Sequence, residues 1–463
     1  MMITMMPPVS IVGLGKLGAS MVAAIASRGG EVIGVDVNPD AVAAVAAGRA
    51  PVQETDLDTT LAAHRARIRA TLDVAEAVRD SAISFVIVPT PSDARGAFAF
   101  DAAARAFDGI GGALRDKDAY HLVVLTSTVL PGTTRQALLP VLERASGKRA
   151  GDAFGLCYSP EFIALGSVIR DFLNPDFTLI GEIDARAGDV LESYYAQVMA
   201  NHAPARRMSL ENAELAKISV NSFVTMKITF ANMLASLCEA IPGADVDVVT
   251  QALGSDRRIG SRYLTGGLGY GGPCFPRDNV ALAFLARALG TPAPGPEATD
   301  AANVRIPARV VARIAPLVPP GGTVGVLGLA YKPASHVIEA AQGAALAEAC
   351  LSRGLRVVAF DPLVAALPGH NGVQLAGSAA EVADTADVVV IATPDPAFAA
   401  LDWPAVLARR PDLAILDAWR LLRDRIPAEA ADRYHVLGRG PTPGADADAD
   451  ARVAALWTGA PAR

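Results

Sequence analysis

The chain has 463 residues, 51% hydrophobic and 19% charged, which supports two to four domains with ample core. Its formal charge of −7 argues against broad binding to nucleic acid or an anionic membrane, so any phosphate site has to be local. No window offers 18 uncharged apolar residues with membrane-like flanks, so no transmembrane span is expected. Cys157, Cys238, Cys274 and Cys350 lie far apart with no CxxC pair, and the six histidines show no metal-ligand spacing. Reduced thiols, a cytoplasmic location and no metal site are the expectation. The opening MMITMMPPVSIVGLG has no basic stretch before its apolar run, so it reads as a first strand and not as a signal peptide.

Val9 to Val12 is a short apolar strand, followed at once by Gly13-Leu-Gly15-Lys-Leu-Gly18, an Ala-rich helix to about Arg28, and a second strand, Glu31 to Val35, ending at Asp36. This is the strand, GxGxxG, helix, strand, acid order of a dinucleotide fold. The first glycine makes the tight turn, the second admits a pyrophosphate and the third lets helix and strand pack. The helix N-terminus faces the phosphates. A carboxylate at Asp36 accepts from both ribose hydroxyls and repels a 2′-phosphate, and no arginine stands beside it, which favours NAD over NADP.

Further strands run from Ile83 to Val88, ending in Pro89-Thr90-Pro91, and from Leu122 to Leu125, ending in Thr126-Ser127-Thr128. Strand carboxyl ends are where a doubly wound sheet places its ligand. Ser127 and Thr128 either face that ligand or cap the turn before Pro131-Gly132. Phe154 to Tyr158 is another strand, leading to Glu161, which is a candidate base or else an N-cap or ion-pair partner. Cys157, inside that strand, reads as inert core.

One long helix spans about Ser209 to Ala240, with Glu211 and Glu214 in its first turn. Its apolar residues leave no wholly polar face, so burial on more than one side is expected. Lys217 and Asn221 share one face at i, i+4; they are either a snorkelling lysine with a polar neighbour or a cation and an amide aimed at a polar ligand. Cys238, near the end of the helix, reads as core. Gly254 to Asp278 then brings a glycine run, Cys274 and Asp278 together, with Arg257, Arg258, Arg262 and Arg277 around them. A backbone that rich in glycine around a thiol suggests close approach of a ligand.

After Pro319-Pro320-Gly321-Gly322 the chain repeats itself. Val324 to Ala330 echoes Val9 to Gly15, and Val357 to Asp361 echoes Val32 to Asp36. The spacing from Gly328 to Asp361 is 33 residues, against 23 from Gly13 to Asp36, and the second and third glycine positions read as lost. This second Rossmann-like domain is expected to bind a different nucleotide or none. Lys332 can hold a phosphate there. The expected fold is α/β, with two Rossmann-like doubly wound domains joined by a long central helix and a helical middle domain. The boundaries are 1–205, 206–318 and 319–440, with a flexible tail at 441–463.

The Gly-rich loop, STV-PGTT, PEF, K-x-x-x-N on a long helix, D-x-RIG, GGPCFPRD and GLAYKP occur in one order. In this the chain resembles the UDP-glucose and GDP-mannose dehydrogenase family, nearly end to end. That resemblance implies a nucleotide-sugar 6-dehydrogenase that dimerises through its middle domain. Such enzymes oxidise a sugar C6 alcohol to a carboxylate with two NAD+, through a thiohemiacetal and a thioester on Cys274. It also implies that Lys217 and Asn221 stabilise the oxyanion, Asp278 orients or activates water, Glu161 assists as a base and Thr128 places water. NAD contacts are implied at Gly13, Gly15, Lys16, Leu17, Gly18, Asp36, Thr90, Thr128 and Arg277. Nucleotide-sugar contacts are implied at Phe162, Ile163, Leu165, Lys217, Asn221, Tyr263, Gly271 and Lys332, and at Arg258 reaching the partner subunit of a homodimer.

Three positions depart from the family pattern: Leu165 and Glu339 stand where a glutamate and an arginine are usual, and Arg277 replaces a lysine. UDP-glucose is the first expectation for the substrate; GDP-mannose and a UDP-N-acetylhexosamine are alternatives. A two-electron dehydrogenase of the hydroxyacid type would share the NAD loop and a lysine–asparagine pair, but needs neither the cysteine nor a second Rossmann domain. A non-catalytic nucleotide-sugar binder would need none of Cys274, Asp278, Lys217 and Asn221.

Overall fold

The computed structural model describes residues 6–458. The backbone forms two compact units, the first ending at Val220 and the second beginning at Asn221, so the boundary falls inside one helix, Leu210–Ala240.

The first unit is built on eight strands: β1 (Val9–Val12), β2 (Val32–Val35), β3 (Ile68–Thr71), β4 (Ile83–Val86), β5 (His121–Leu125), β6 (Phe154–Tyr158), β7 (Thr178–Glu182) and β8 (Ala205–Ser209). They lie in the order β3-β2-β1-β4-β5-β6-β7-β8, parallel except between β6 and β7. β1 and β4 to β6 are buried along their whole length, as expected when helices cover both faces. Alternate residues serve opposite cores: Ile11, Phe85, Val124 and Cys157 pack on one face, and Val12, Val86, Leu125 and Leu156 on the other. Burial pushes the Cys157 thiol well above its ordinary value, which keeps it neutral.

The second unit carries a six-stranded parallel sheet of β9 (Thr323–Leu327), β10 (Arg356–Phe360), β11 (Val373–Leu375), β12 (Val388–Ile391), β13 (Ala414–Asp417) and β14 (Tyr434–Val436), ordered β11-β10-β9-β12-β13-β14. Both units are therefore doubly wound sheets that reverse direction beside their first strand.

The internal repeat extends further than the glycine spelling. A Cβ on Gly18 would lie 1.8 Å from Gly13 O, and a Cβ on Gly343 would lie 1.9 Å from Gly328 O. Gly343 thus fills the third-glycine role that the sequence reading took as lost. Five residues separate the first pair and fifteen the second, so the ten additional residues form a loop between β9 and its helix, Gln342–Leu351.

One other expectation changes. Residues 447–458 of the expected tail form a helix, and Ala449 on it is buried; 459–463 lies outside the described residues. The long helix is buried on more than one side, as expected, through Leu210, Ala213, Ile218, Ser222, Thr225, Ala231 and Ala235, and open on another: Phe223, Met226, Phe230, Met233 and Leu237 are 41–62% exposed. Their 3-4-3-4 spacing puts them in one stripe.

Candidate active site

In the first unit, the βα turn after β1 has the shape of a pyrophosphate cradle. Gly13 adopts φ +105°, and a Cβ there would meet Ile87 O at 2.0 Å. Gly15 caps the 12-residue helix Lys16–Ser27, and a Cβ on it would meet nothing within 4 Å. The helix N-terminus therefore opens on space at the one glycine that need not be glycine for folding, which suits an approaching diphosphate. Lys16 and Leu17 form the first turn. The Asp36 carboxylate accepts from Leu14 N at 2.6 Å and from Asn38 N at 2.8 Å, which holds it at the end of β2. Val37 beside it is 97% exposed. These residues fit NAD.

The strand ends divide into scaffold and candidate chemistry. Ser127 Oγ accepts from Val88 N at 2.9 Å and donates to Val88 O at 2.7 Å, so its hydroxyl serves the backbone. The Thr90 hydroxyl donates to Thr128 O at 2.7 Å, tying two sequence-predicted residues together through one main chain. After β6, Lys217 Nζ donates to the main-chain carbonyl of Glu161 at 2.6 Å and lies 4.5 Å from the Phe162 ring centroid. Ile163 and Leu165 follow, both half-buried. Desolvation raises the Glu161 carboxyl to about 7, against the pull of the Lys217 ammonium.

In the second unit, Cys274 is exposed while Cys157, Cys238 and Cys350 are buried. It caps the helix Phe275–Ala288, where unsatisfied N–H groups favour developing negative charge. Asp278 is fully buried one turn on. Its carboxylate accepts from Asn221 Nδ2 at 2.6 Å and lies 3.4 Å from Arg277. Asn221, Cys274 and Asp278 are thus brought together through one helix turn.

The glycine run before the thiol is buried and fastened. Asn232 accepts from Gly267 N at 2.8 Å and donates to Leu268 O at 3.1 Å. Arg420 donates to Gly266 O at 2.7 Å while paired with Asp247 at 2.9 Å. Gly272 N donates to Glu339 O at 2.9 Å, and a Cβ on Gly271 would lie 2.2 Å from Ala340 O. The ten-residue insertion is therefore docked on the thiol loop, and it carries Lys332 as well as Glu339.

Residues 7–199 match the NAD binding domain of the UDP-glucose/GDP-mannose dehydrogenase family, 211–305 its central domain and 325–424 its UDP binding domain. The chain belongs to the UDP-glucose/GDP-mannose dehydrogenase family. It is 36% identical over 399 residues to the UDP-glucose 6-dehydrogenase AglM of Haloferax volcanii, covering 85% of this chain and 92% of that one. It is 32% identical over 410 residues to the GDP-mannose 6-dehydrogenase of Pseudomonas putida, covering 85% and 92%. A solved UDP-glucose dehydrogenase from the archaeon Pyrobaculum islandicum superposes with a TM-score of 0.81 at 31% identity, over 94% of this chain and 98% of that one. NAD is the family's cofactor, and nucleotide-sugar 6-dehydrogenation is its chemistry.

Of the two remaining family positions, Arg258 stands apart from these clusters and Tyr263 borders the thiol's helix. Arg258 is turned onto Asp256 in a short ion pair at 2.5 Å, with its side chain 88% exposed. Tyr263 takes a left-handed φ of 65° and is half exposed, with its ring edge-on to Phe275 at 6.4 Å. Sequence reasoning missed Asn232, Asn303 and Arg420 and read Glu214 only as a first-turn acid; all four hydrogen-bond backbone groups. One signal was available: Asn221 and Asn232 are eleven residues apart, three helical turns, and so share a face.

Proposed function

We propose that this dehydrogenase carries out the four-electron oxidation of the C6 hydroxyl of a nucleotide sugar to a carboxylate, with UDP-glucose as the first substrate to test. The observation that carries the reading is the one exposed thiol, Cys274, at a helix N-terminus with the buried carboxylate of Asp278 one turn on. The substrate choice is supported by the 36%-identical UDP-glucose 6-dehydrogenase.

Bound NAD supplies the hydride acceptor for both oxidations. With C6 at the aldehyde level, the Cys274 sulfur adds to the carbonyl carbon and the oxygen takes up a proton, giving a thiohemiacetal. Lys217 and Asn221 donate to that oxygen as its charge develops. At the acyl level the same carbon is a thioester, from which a thiolate departs readily. Glu161 takes a proton from the attacking water, Thr128 and Asp278 orient it, and the C–S bond breaks to release the acid and restore the thiol. Gly13, Gly15, Lys16, Leu17, Gly18, Asp36, Thr90 and Arg277 hold NAD. Phe162, Ile163, Leu165, Tyr263, Gly271 and Lys332 hold the nucleotide sugar. The exposed stripe on the long helix supports a homodimer, with Arg258 serving the partner's substrate.

The test is an NADH assay over UDP- and GDP-sugars, with product mass. Two NADH per sugar and a uronic acid support the reading, whereas one NADH and no acid sink it. Preference for GDP-mannose or a UDP-N-acetylhexosamine would replace the substrate and keep the chemistry. Cys274→Ala should bind NAD and make no acid.

A further inference from the structure

The first turns of the long helix are anchored in a way the proposed chemistry does not use. Glu214 is fully buried. Its Oε2 accepts from Gly132 N at 2.6 Å and its Oε1 from Thr134 N at 2.8 Å. Those donors open the helical segment that begins at Thr133, five residues after Thr128, with Gly132 as its N-cap. One turn earlier, Glu211 pairs with Arg135 at 2.5 Å. A buried carboxylate is costly to desolvate, and burial raises its pKa even against these hydrogen bonds. An apolar side chain could fill the volume without that cost. What an apolar side chain cannot do is fix the helix in register against two backbone N–H groups.

Lys217 lies three residues on, the next position along the same face. Its stem has four methylenes, so the place of its ammonium depends on where the helix backbone stands. The ammonium rests on the Glu161 carbonyl at 2.6 Å and against the Phe162 ring.

We infer that Glu214 is a positioning residue for Lys217: lodged between the N–H groups of Gly132 and Thr134, it registers the helix against the loop after Thr128 and so holds the Lys217 ammonium beside Glu161. This rests on the roles proposed above for Lys217 and Glu161, but its test does not need turnover. The groups facing Glu161 are the Lys217 ammonium and Tyr195, whose phenol burial keeps neutral. Facing Glu214 is Glu211, whose charge Arg135 pairs. If the helix slips, Lys217 retreats and Glu161 loses its nearby cation.

The experiment is a carboxyl-carbon NMR titration of the full chain labelled at glutamate, with the Glu161 signal assigned by Glu161→Gln. Glu214→Gln keeps one acceptor and sets an amide NH2 against an N–H. It is expected to raise the Glu161 midpoint by about half a unit or more, toward the value in Lys217→Met. Glu214→Asp keeps the charge but is one methylene too short to span both donors. It should move the midpoint in the same direction by less, and it covers the case in which the glutamine variant fails to fold. An unmoved midpoint in a folded variant overturns the inference and leaves Glu214 a structural residue only. Kinetics then separate the two proposals. A wild-type enzyme that oxidises no nucleotide sugar while its Glu161 midpoint responds to Glu214 refutes the function and keeps the positioning. An active enzyme with an unresponsive midpoint does the reverse.

Discussion

Asn303 meets the backbone of Tyr270 as a neighbouring strand would: its Oδ1 accepts from Tyr270 N at 3.0 Å and its Nδ2 donates to Tyr270 O at 2.9 Å. Gln342 donates to the same carbonyl at 3.1 Å. Asn303→Ala therefore leaves the carbonyl a partner but orphans the buried N–H, at a cost of about 1–3 kcal/mol. Urea denaturation should show that loss; a change within about 0.3 kcal/mol would mean that the run is held by its other contacts alone.

Gly15 and Gly18 should separate folding from cofactor binding. Gly15→Ala meets no protein atom, so the melting temperature should hold while the Kd for NAD rises about tenfold or more, because the methyl stands in the pyrophosphate path. Gly18→Ala drives a Cβ into Gly13 O and should lower both stability and affinity. Equal melting points with equal NAD affinity in Gly15→Ala would count against the cradle.

Glu161 is half protonated near pH 7. If Glu161 is the base proposed above, it has to be ionised to act, so acid release from the proposed acyl-enzyme should rise with pH through about 7 and level off above it. Glu161→Gln should abolish that limb and slow the step by about 10²- to 10⁴-fold. Rapid-quench measurement of acid release against pH decides the matter, and a limb retained in the variant assigns it to another group.

Stability should fall in mild acid for a reason remote from the site. His121 is fully buried, and its Nε2 is 2.8 Å from Ser84 Oγ, which is 2.6 Å from Ser10 Oγ. Its Nδ1 is 3.1 Å from Lys117 Nζ. Burial, and then the Lys117 charge, depress its pKa to about 3. The folded state stays neutral where the unfolded chain, at about 6.5, takes a proton, so stability is full above pH 6.5 and is lost as pH falls toward 3. At pH 5 the loss is about 2 kcal/mol. His121→Asn should flatten that part of the stability curve; an unchanged slope would place the acid sensitivity elsewhere.

Phe230 lies in the middle of the exposed stripe of Phe223, Met226, Met233 and Leu237. If two copies pair through it, Phe230→Glu buries a charge in that interface and should convert the dimer to a monomer by light scattering at micromolar concentration. A wild-type chain that is already monomeric there would end the dimer proposal.

The two α/β halves were legible because strands such as β1, β5 and β6 are short apolar runs bounded by turn residues, and because the GxGxxG turn carries its glycines at a fixed local spacing. β1 and β6 begin and end as read, and the long helix starts one residue late. The second α/β half was recognisable, yet its third glycine was missed. Gly343 meets Gly328 across a ten-residue insertion, and spacing rules tolerate no such gap. Cys274, Asp278, Lys217 and Asn221 stood out as chemistry on residue type alone.

What the sequence by itself determined is the fold class and the glycine turn after β1, since both depend on local spacing and residue type; the residues proposed for the chemistry were singled out by the same features. Only the tertiary structure decided which polar residues serve backbone and which face open space. Ser127 turned out to clamp Val88, Glu214 to hold Gly132 and Thr134, and Asn232 to hold Gly267 and Leu268, while Cys274 alone of the four cysteines is exposed. A buried N–H needs a partner wherever the chain can bring one. That partner comes from tens of residues away, so it leaves no spacing rule in the sequence.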